Sequence, residues 1–261
     1  MRALVVISHY NARSEDPLDM LLWQLAHIPA GMPFNVLVVV NRSDDKDVQI
    51  ASKFPGVRFD YRRNTGYNIG AWDHGWRTLP DFEFYAFLQD ECLIAKVDWL
   101  KSLVRSARRS LVGEAMVDPA ETWEQSQASY ERFYGNEGYD PARWGETGDL
   151  NTPNAVRAFM VCHGVPPLNT MRHLRALALC APAELMKATD GFLTGNNYRE
   201  AVGAEVAISQ KAAAAGFLFK QAALLPFTYV IHPQWMADRC KARTLSGIAR
   251  QIIPASLRMT R

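Results

Sequence analysis

Cysteine is scarce and scattered. Cys92, Cys162, Cys180 and Cys240 are the four in the chain, far apart, with no Cys-x-x-Cys pair and no Cys/His ligand spacing. The sequence therefore suggests neither a zinc site nor a disulfide framework, and a reducing, cytoplasmic setting is the expectation. An excess of one charge is also missing: 29 Lys and Arg stand against 27 Asp and Glu, a formal net charge of +2. Nothing in that balance calls for a nucleic acid partner. No stretch approaches the ~20 apolar residues of a spanning helix. The opening MRALVVISHYN holds an apolar run too brief for a signal peptide, and it reads better as a first strand. Neither Gly-x-Gly-x-x-Gly nor a Walker loop follows that run, so a dinucleotide or P-loop site is poorly supported. Internal repeats and low-complexity segments are absent as well.

What the chain does have is apolar residues in regular patterns. With 261 residues and 48% hydrophobic content it can bury a full core. Residues 3–8 (ALVVIS) and 35–40 (NVLVVV) are β-branched runs suited to burial on both faces. Residues 19–27 (DMLLWQLAH) between them have helical spacing, and strand, helix, strand is the signature of a parallel sheet with crossover helices. The class is α/β. Further strands are expected at 57–61, 82–88 and 224–231, and helices at 68–77, 96–110, 182–187 and 205–215, the last stopping at Gly216. Residues 114–154 hold nine acids against two arginines, with scattered aromatics, Gly and Pro. They read as a long excursion from the core.

In open α/β sheets ligands collect beyond the carboxyl ends of the parallel strands. Here those ends are polar: Ser8-His9-Tyr10-Asn11, Asn41-Arg42-Ser43-Asp44-Asp45, Arg62-Arg63-Asn64-Thr65-Gly66 and Gln89-Asp90-Glu91. Any one could be an ordinary turn or cap, but four in succession could build one pocket. The Asp90-Glu91 pair is the sharpest element, because carboxylates ending a buried strand are costly unless they meet a cation or hydrogen-bond donors. Magnesium or manganese, held by one or two carboxylates together with substrate phosphates, fits that need. The competing reading has Asp90 capping the next helix and Glu91 solvated.

Several short motifs follow one another in a recognisable order. They are ISHYNAR at 7–13, NRSDD at 41–45, NTGYNIGA at 64–71, FLQDECLI at 87–94, VDWL at 97–100, Gly191-Phe192, GAEVAIS at 203–209 and Ala215-Gly216-Phe217. Together they resemble the family-two glycosyltransferases of the Rossmann-like GT-A fold, over most of the chain. That resemblance implies a mixed, mainly parallel central sheet flanked by helices. It implies a nucleotide-sugar site made from Ser8, His9, Tyr10, Asn11, Arg13, Asn41, Ser43, Asp44, Asn64, Gly66, Asn68, Gln89 and Asp90. It implies a divalent cation, Mg2+ or Mn2+, on Asp90 and Glu91 with His232 as a late ligand, and Glu205 as the base that deprotonates an acceptor hydroxyl. Two departures stand out: Gln89 takes the place of the first acid of the Asp-x-Asp motif, and Ala204 that of the acid before the base. A plain helix-terminal acid is the other reading of Glu205, and a structural histidine that of His232.

The reaction so implied is inverting transfer of a sugar from a nucleotide diphosphate, uridine diphosphate before others, to a glycan or lipid-linked acceptor. Trp123, Tyr130, Tyr134, Trp144 and Tyr198 are the aromatic candidates for the acceptor side. Residues 1–238 read as one catalytic domain, with a nucleotide half at 1–112, an insertion at 113–154 and an acceptor half at 155–238. After Asp238 the tail has six basic residues and no acid, with apolar residues at helical spacing. Such a helix can lie on the inner face of an anionic membrane, or dock on the core. The rivals are a sugar-nucleotide nucleotidyltransferase, although SHYNAR lacks the glycine-rich activation loop, and a non-catalytic binding module of the same fold.

Overall fold

The computed structural model describes residues 2–118, 121–134 and 152–235. Trp144, Cys240 and the basic tail lie outside the described residues, as does the side chain of Tyr134. The chain opens with β1 (Ala3–Tyr10), α1 (Asp16–His27), β2 (Phe34–Arg42), β3 (Arg58–Arg63), α2 (Tyr67–Thr78), β4 (Phe84–Gln89), β5 (Leu93–Ile94), α3 (Trp99–Ala107), β6 (Ser110–Gly113) and β7 (Met116–Val117). It continues with α4 (Trp123–Tyr134), α5 (Pro153–Cys162), β8 (His173–Leu174), β9 (Ala178–Pro182), α6 (Ala183–Ala188), α7 (Tyr198–Ala214), β10 (Leu218–Gln221) and β11 (Val230–Ile231).

Seven strands form one sheet in the order β10-β6-β9-β4-β1-β2-β3. Only β9 runs against the others, antiparallel to both β4 and β6. The protein is thus α/β with a mixed, mostly parallel central sheet flanked by helices. The alternation of β1 and β2 explains the layering, since successive side chains in a strand point to opposite faces. Val5, Ile7, Val38 and Val40 pack with α1 and α3, and Leu4, Val6, Leu37 and Val39 with α2 and α7. All eight are fully buried. Gly75 shows how closely α2 sits: a Cβ there would lie 2.5 Å from Cγ1 of Val6. A third cluster joins Trp123, Val156, Met160, Val206 and Ala207, tying α4 and α5 to α7.

Four expectations change. The helix expected at 96–110 ends at Ala107, and Ser110–Gly113 is an inner strand of the sheet with all four residues buried. The expected strand at 224–231 reduces to Val230–Ile231, pairing with β5 outside the main sheet, while Leu218–Gln221 supplies the sheet edge. The helix expected at 205–215 begins at Tyr198, where the Asn197 side chain caps it by accepting from the Glu200 N–H. Finally, the segment from residue 114 is tied into the core at its start. Glu114, 1% exposed, accepts backbone N–H groups from Thr228, Tyr229 and Val230. No helix among the described residues is long and apolar enough to cross a membrane.

Candidate functional site

The parallel register brings the carboxyl ends of β1, β2 and β4 side by side, with Ser8 opposite Gln89 and Tyr10 opposite Asn41. Beyond them lies a cavity of about 370 Å³ lined by Ser8, His9, Tyr10, Arg13, Asn41, Asn64, Tyr67, Asn68, Gln89 and Asp90. Nine of the expected nucleotide-site residues are in that wall. Asn11, Ser43 and Asp44 do not line it but brace one another beside it. Asn11 donates to Asp44 Oδ1 at 2.9 Å and accepts from the Ser43 N–H at 2.8 Å. Gly66 caps the start of α2 with φ of 71°, a left-handed conformation that favours glycine. A side chain there would also collide with Thr194.

Asn41 is held from both sides. Its amide donates to the Tyr67 carbonyl at 2.9 Å and accepts from the Arg62 guanidinium at 2.8 Å. Arg62 also bonds the Thr65 carbonyl and hydroxyl, so its charge serves the loop rather than the cavity. Burial, the larger influence, lowers the Arg62 pKa from its ordinary value, against the opposing charge of Asp73. Arg13 is the cation in the wall, and its guanidinium lies 3.3 Å from Glu91 Oε1.

The acidic pair divides. Asp90 is buried, and its Oδ2 accepts from Nδ1 of the buried His9 at 2.6 Å. A hydrogen bond to a carboxylate puts the ring proton on Nδ1, and Nε2 of His9 is buried with no partner among the described residues. The other Asp90 oxygen has no hydrogen-bond donor among the described residues. Glu91 is outside the wall, with Oε1 on Arg13 and Oε2 3.4 Å from Nε2 of His232. Burial, the leading cause, lowers the His232 pKa, opposed by the charges of Glu91 and Asp90. Among the described residues no group of three or more His, Cys, Asp or Glu side chains is arranged to hold a metal ion. Of the set expected from the sequence, Glu91 and His232 lie together, while Asp90 pairs with His9. Asp90 alone, with one oxygen oriented by His9 and one left over in the wall, fits the single carboxylate that magnesium commonly takes from a protein.

Gln89 has a part that an acid could not play. Its Nε2 donates to the Ala176 carbonyl at 2.7 Å while its Oε1 faces Nε2 of His232 at 3.2 Å. Asn68 donates to the same carbonyl at 3.0 Å, and the Ala176 N–H donates to Glu205 Oε1 at 2.9 Å. One residue, Ala176, thus connects the wall of the first cavity to Glu205.

Glu205 lines a second cavity of about 270 Å³ that shares Tyr67, Asn68 and Gln89 with the first. It sits about two turns inside α7 rather than at a helix start, which removes the helix-terminal explanation for it. Its Oε2 has no hydrogen-bond donor among the described residues. The neighbouring Ala204 is fully buried against the sheet, so an acid there would be a buried charge rather than a site residue. Sequence reasoning missed Tyr67, Arg175 and Trp235 in this second wall. No local pattern marks them; they meet only when α2, the link between β8 and β9, and the turn at Pro233–Trp235 come together. Of the expected aromatics, Tyr198 is in the wall, whereas Trp123 is buried and donates to the Leu168 carbonyl.

No family model matches the chain, and no curated protein matches it. Among solved structures it is similar to S. aureus TarS, at 16% identity and a TM-score of 0.44 over 80% of this chain and 34% of that one. Against TarS 1–349 the identity is 15% and the TM-score 0.44, over 80% and 56% of the two chains. Against TarS 1–349 in complex with UDP-GlcNAc the values are 15% and 0.46, over 85% and 58%. The chain spans between a third and three fifths of those chains.

Proposed function

We propose that the chain is a glycosyltransferase of GT-A type, moving a sugar from a nucleotide-diphosphate donor to an acceptor hydroxyl with inversion. One observation carries the proposal: a polar cavity at the strand ends adjoins a second cavity whose wall holds a carboxylate with an unengaged oxygen. The nucleotide and diphosphate belong in the first cavity, and the acceptor in the second, with the anomeric carbon at the shared wall of Tyr67, Asn68 and Gln89.

Transfer then needs three things from the protein. Glu205 Oε2 takes the proton as the acceptor oxygen forms its bond to the anomeric carbon. That carbon breaks its bond to the diphosphate on the opposite face, which inverts it. Arg13, Asn64 and Asn68 line the cavity into which the diphosphate departs, where negative charge grows. A divalent cation, if bound, would be held by Asp90 and would offset that charge. Polysaccharide assembly on the cytoplasmic side of a membrane, with the tail at residues 239–261 touching lipid, belongs to the same proposal.

Calorimetric titration with uridine diphosphate tests the donor side. Saturable binding, and a melting temperature that climbs with ligand concentration, is expected. If neither uridine diphosphate nor another nucleoside diphosphate binds, with manganese or with chelator, the proposal fails.

A further inference from the structure

The second cavity differs from the first in what its wall offers. Tyr67 and Tyr198 are 39% and 60% exposed, and Trp235 is half-buried at the same wall. The Arg175 guanidinium stacks on the Trp235 ring at 3.9 Å, which steadies one face of the indole. Aromatic surface left in water is unfavourable, and two such rings at one concavity, beside the partly buried Trp235 that packs against Ala115, Leu177 and Phe227, point to a ligand with an apolar face. Yet the floor is polar: Glu205 offers a free carboxylate oxygen, and Asn68, Gln89 and Gln234 line the same space. A ligand that suits both has a C–H face on one side and hydroxyl groups at its rim. That is a sugar ring. A lipid chain would leave the polar floor unpaired, and an extended peptide would have no use for a volume of about 270 Å³ closed by a carboxylate.

We infer that this cavity is a subsite for one sugar ring of a saccharide acceptor, with Trp235 and Tyr198 as its stacking residues and Glu205 receiving the reactive hydroxyl. The inference rests on the donor reading above for its chemistry, but not for its binding. It assigns acceptor specificity to residues from two separate elements, Tyr198 at the first position of α7 and Trp235 in the turn after β11.

The test uses the whole chain with saturating uridine diphosphate and a panel of methyl glycosides of glucose, galactose, mannose and N-acetylglucosamine, read by saturation-transfer NMR. At least one glycoside is expected to bind through its ring protons. Its affinity should fall roughly five-fold or more in Tyr198→Ala and in Trp235→Ala, and recover in Trp235→Phe. Tyr198 is exposed at a helix start, so its truncation leaves the fold intact even if the tryptophan variant is unstable. Uridine diphosphate affinity should stay within about two-fold in all three variants, because neither residue lines the first cavity. If uridine diphosphate binds but no glycoside does, or if glycoside binding survives Tyr198→Ala and Trp235→Ala, the inference is overturned while the donor reading stands. If glycosides bind through the two aromatics and no nucleotide binds, the subsite stands and the donor reading falls. If nothing binds, both fall.

Discussion

The two cavities are built in different ways. The first is assembled from the ends of β1, β2 and β4, strands adjacent in the sheet and early in the chain, so that one topological rule gathers its residues. The second draws on α2, the segment before β9, the middle of α7 and the turn at Pro233–Trp235, which no single rule brings together. They meet at Gln89 and Ala176. The first is therefore rigid by virtue of the sheet, whereas the second depends on a few side chains that fix one loop to one helix.

If that division is real, the two sides should separate under mutation. The largest effect is expected from Glu205→Gln, which keeps an oxygen for the Ala176 N–H but cannot take a proton. Sugar transfer should fall about 1,000-fold, while uridine diphosphate affinity stays within about two-fold. Turnover at the wild-type rate would remove Glu205 from the reaction. An equal loss of nucleotide affinity would erase the division instead.

Gln89→Glu strikes the joint itself. A carboxylate cannot donate to the Ala176 carbonyl, and losing one of that carbonyl's two side-chain donors costs about 0.5–1.5 kcal/mol. The urea midpoint should drop accordingly, and both nucleotide and glycoside binding should weaken. An unchanged midpoint would mean that Asn68, the other donor to that carbonyl, suffices alone.

Asp90→Asn should act on one side only. The amide can still accept from His9, so geometry is kept and charge is lost. Manganese should tighten uridine diphosphate binding to the wild type by about ten-fold, and the variant should lose that gain. If manganese and chelator give the same affinity in the wild type, Asp90 serves to orient His9 and nothing more.

The same contrast governs what could be read in the sequence. ALVVIS and the LVVV of NVLVVV, buried on both faces, identified the parallel centre, and the polar residues after each strand identified seven members of the first wall. Ser110-Leu-Val-Gly was hidden because it follows a helical pattern with little to mark a break and is only four residues long. In the sequence Gln89 stands only as a departure from an acidic motif. Its meaning lay in a partner 87 residues away, a backbone carbonyl that any residue type could provide. Trp235 and Arg175 were silent for the same reason, since stacking across the fold leaves no spacing to recognise.

The smallest effect concerns a histidine behind the second wall. His173 in β8 is 7% exposed, and its Nδ1 bonds the Met171 carbonyl at 2.7 Å. Burial lowers its pKa, with the nearby Glu205 charge pulling the other way and Arg175 adding to the fall. The unfolded chain therefore begins to protonate this ring near the ordinary value of about 6.5, while the folded protein resists until the solution is more acidic. Between those points the unfolded state binds more protons, so stability is full above about pH 6.5 and declines as pH drops through the folded value. Urea midpoints measured at pH 7.5 and pH 5.0 should differ more in the wild type than in His173→Gln. Equal differences would show that the ring titrates alike in both states, and that the second wall is open enough to hydrate it.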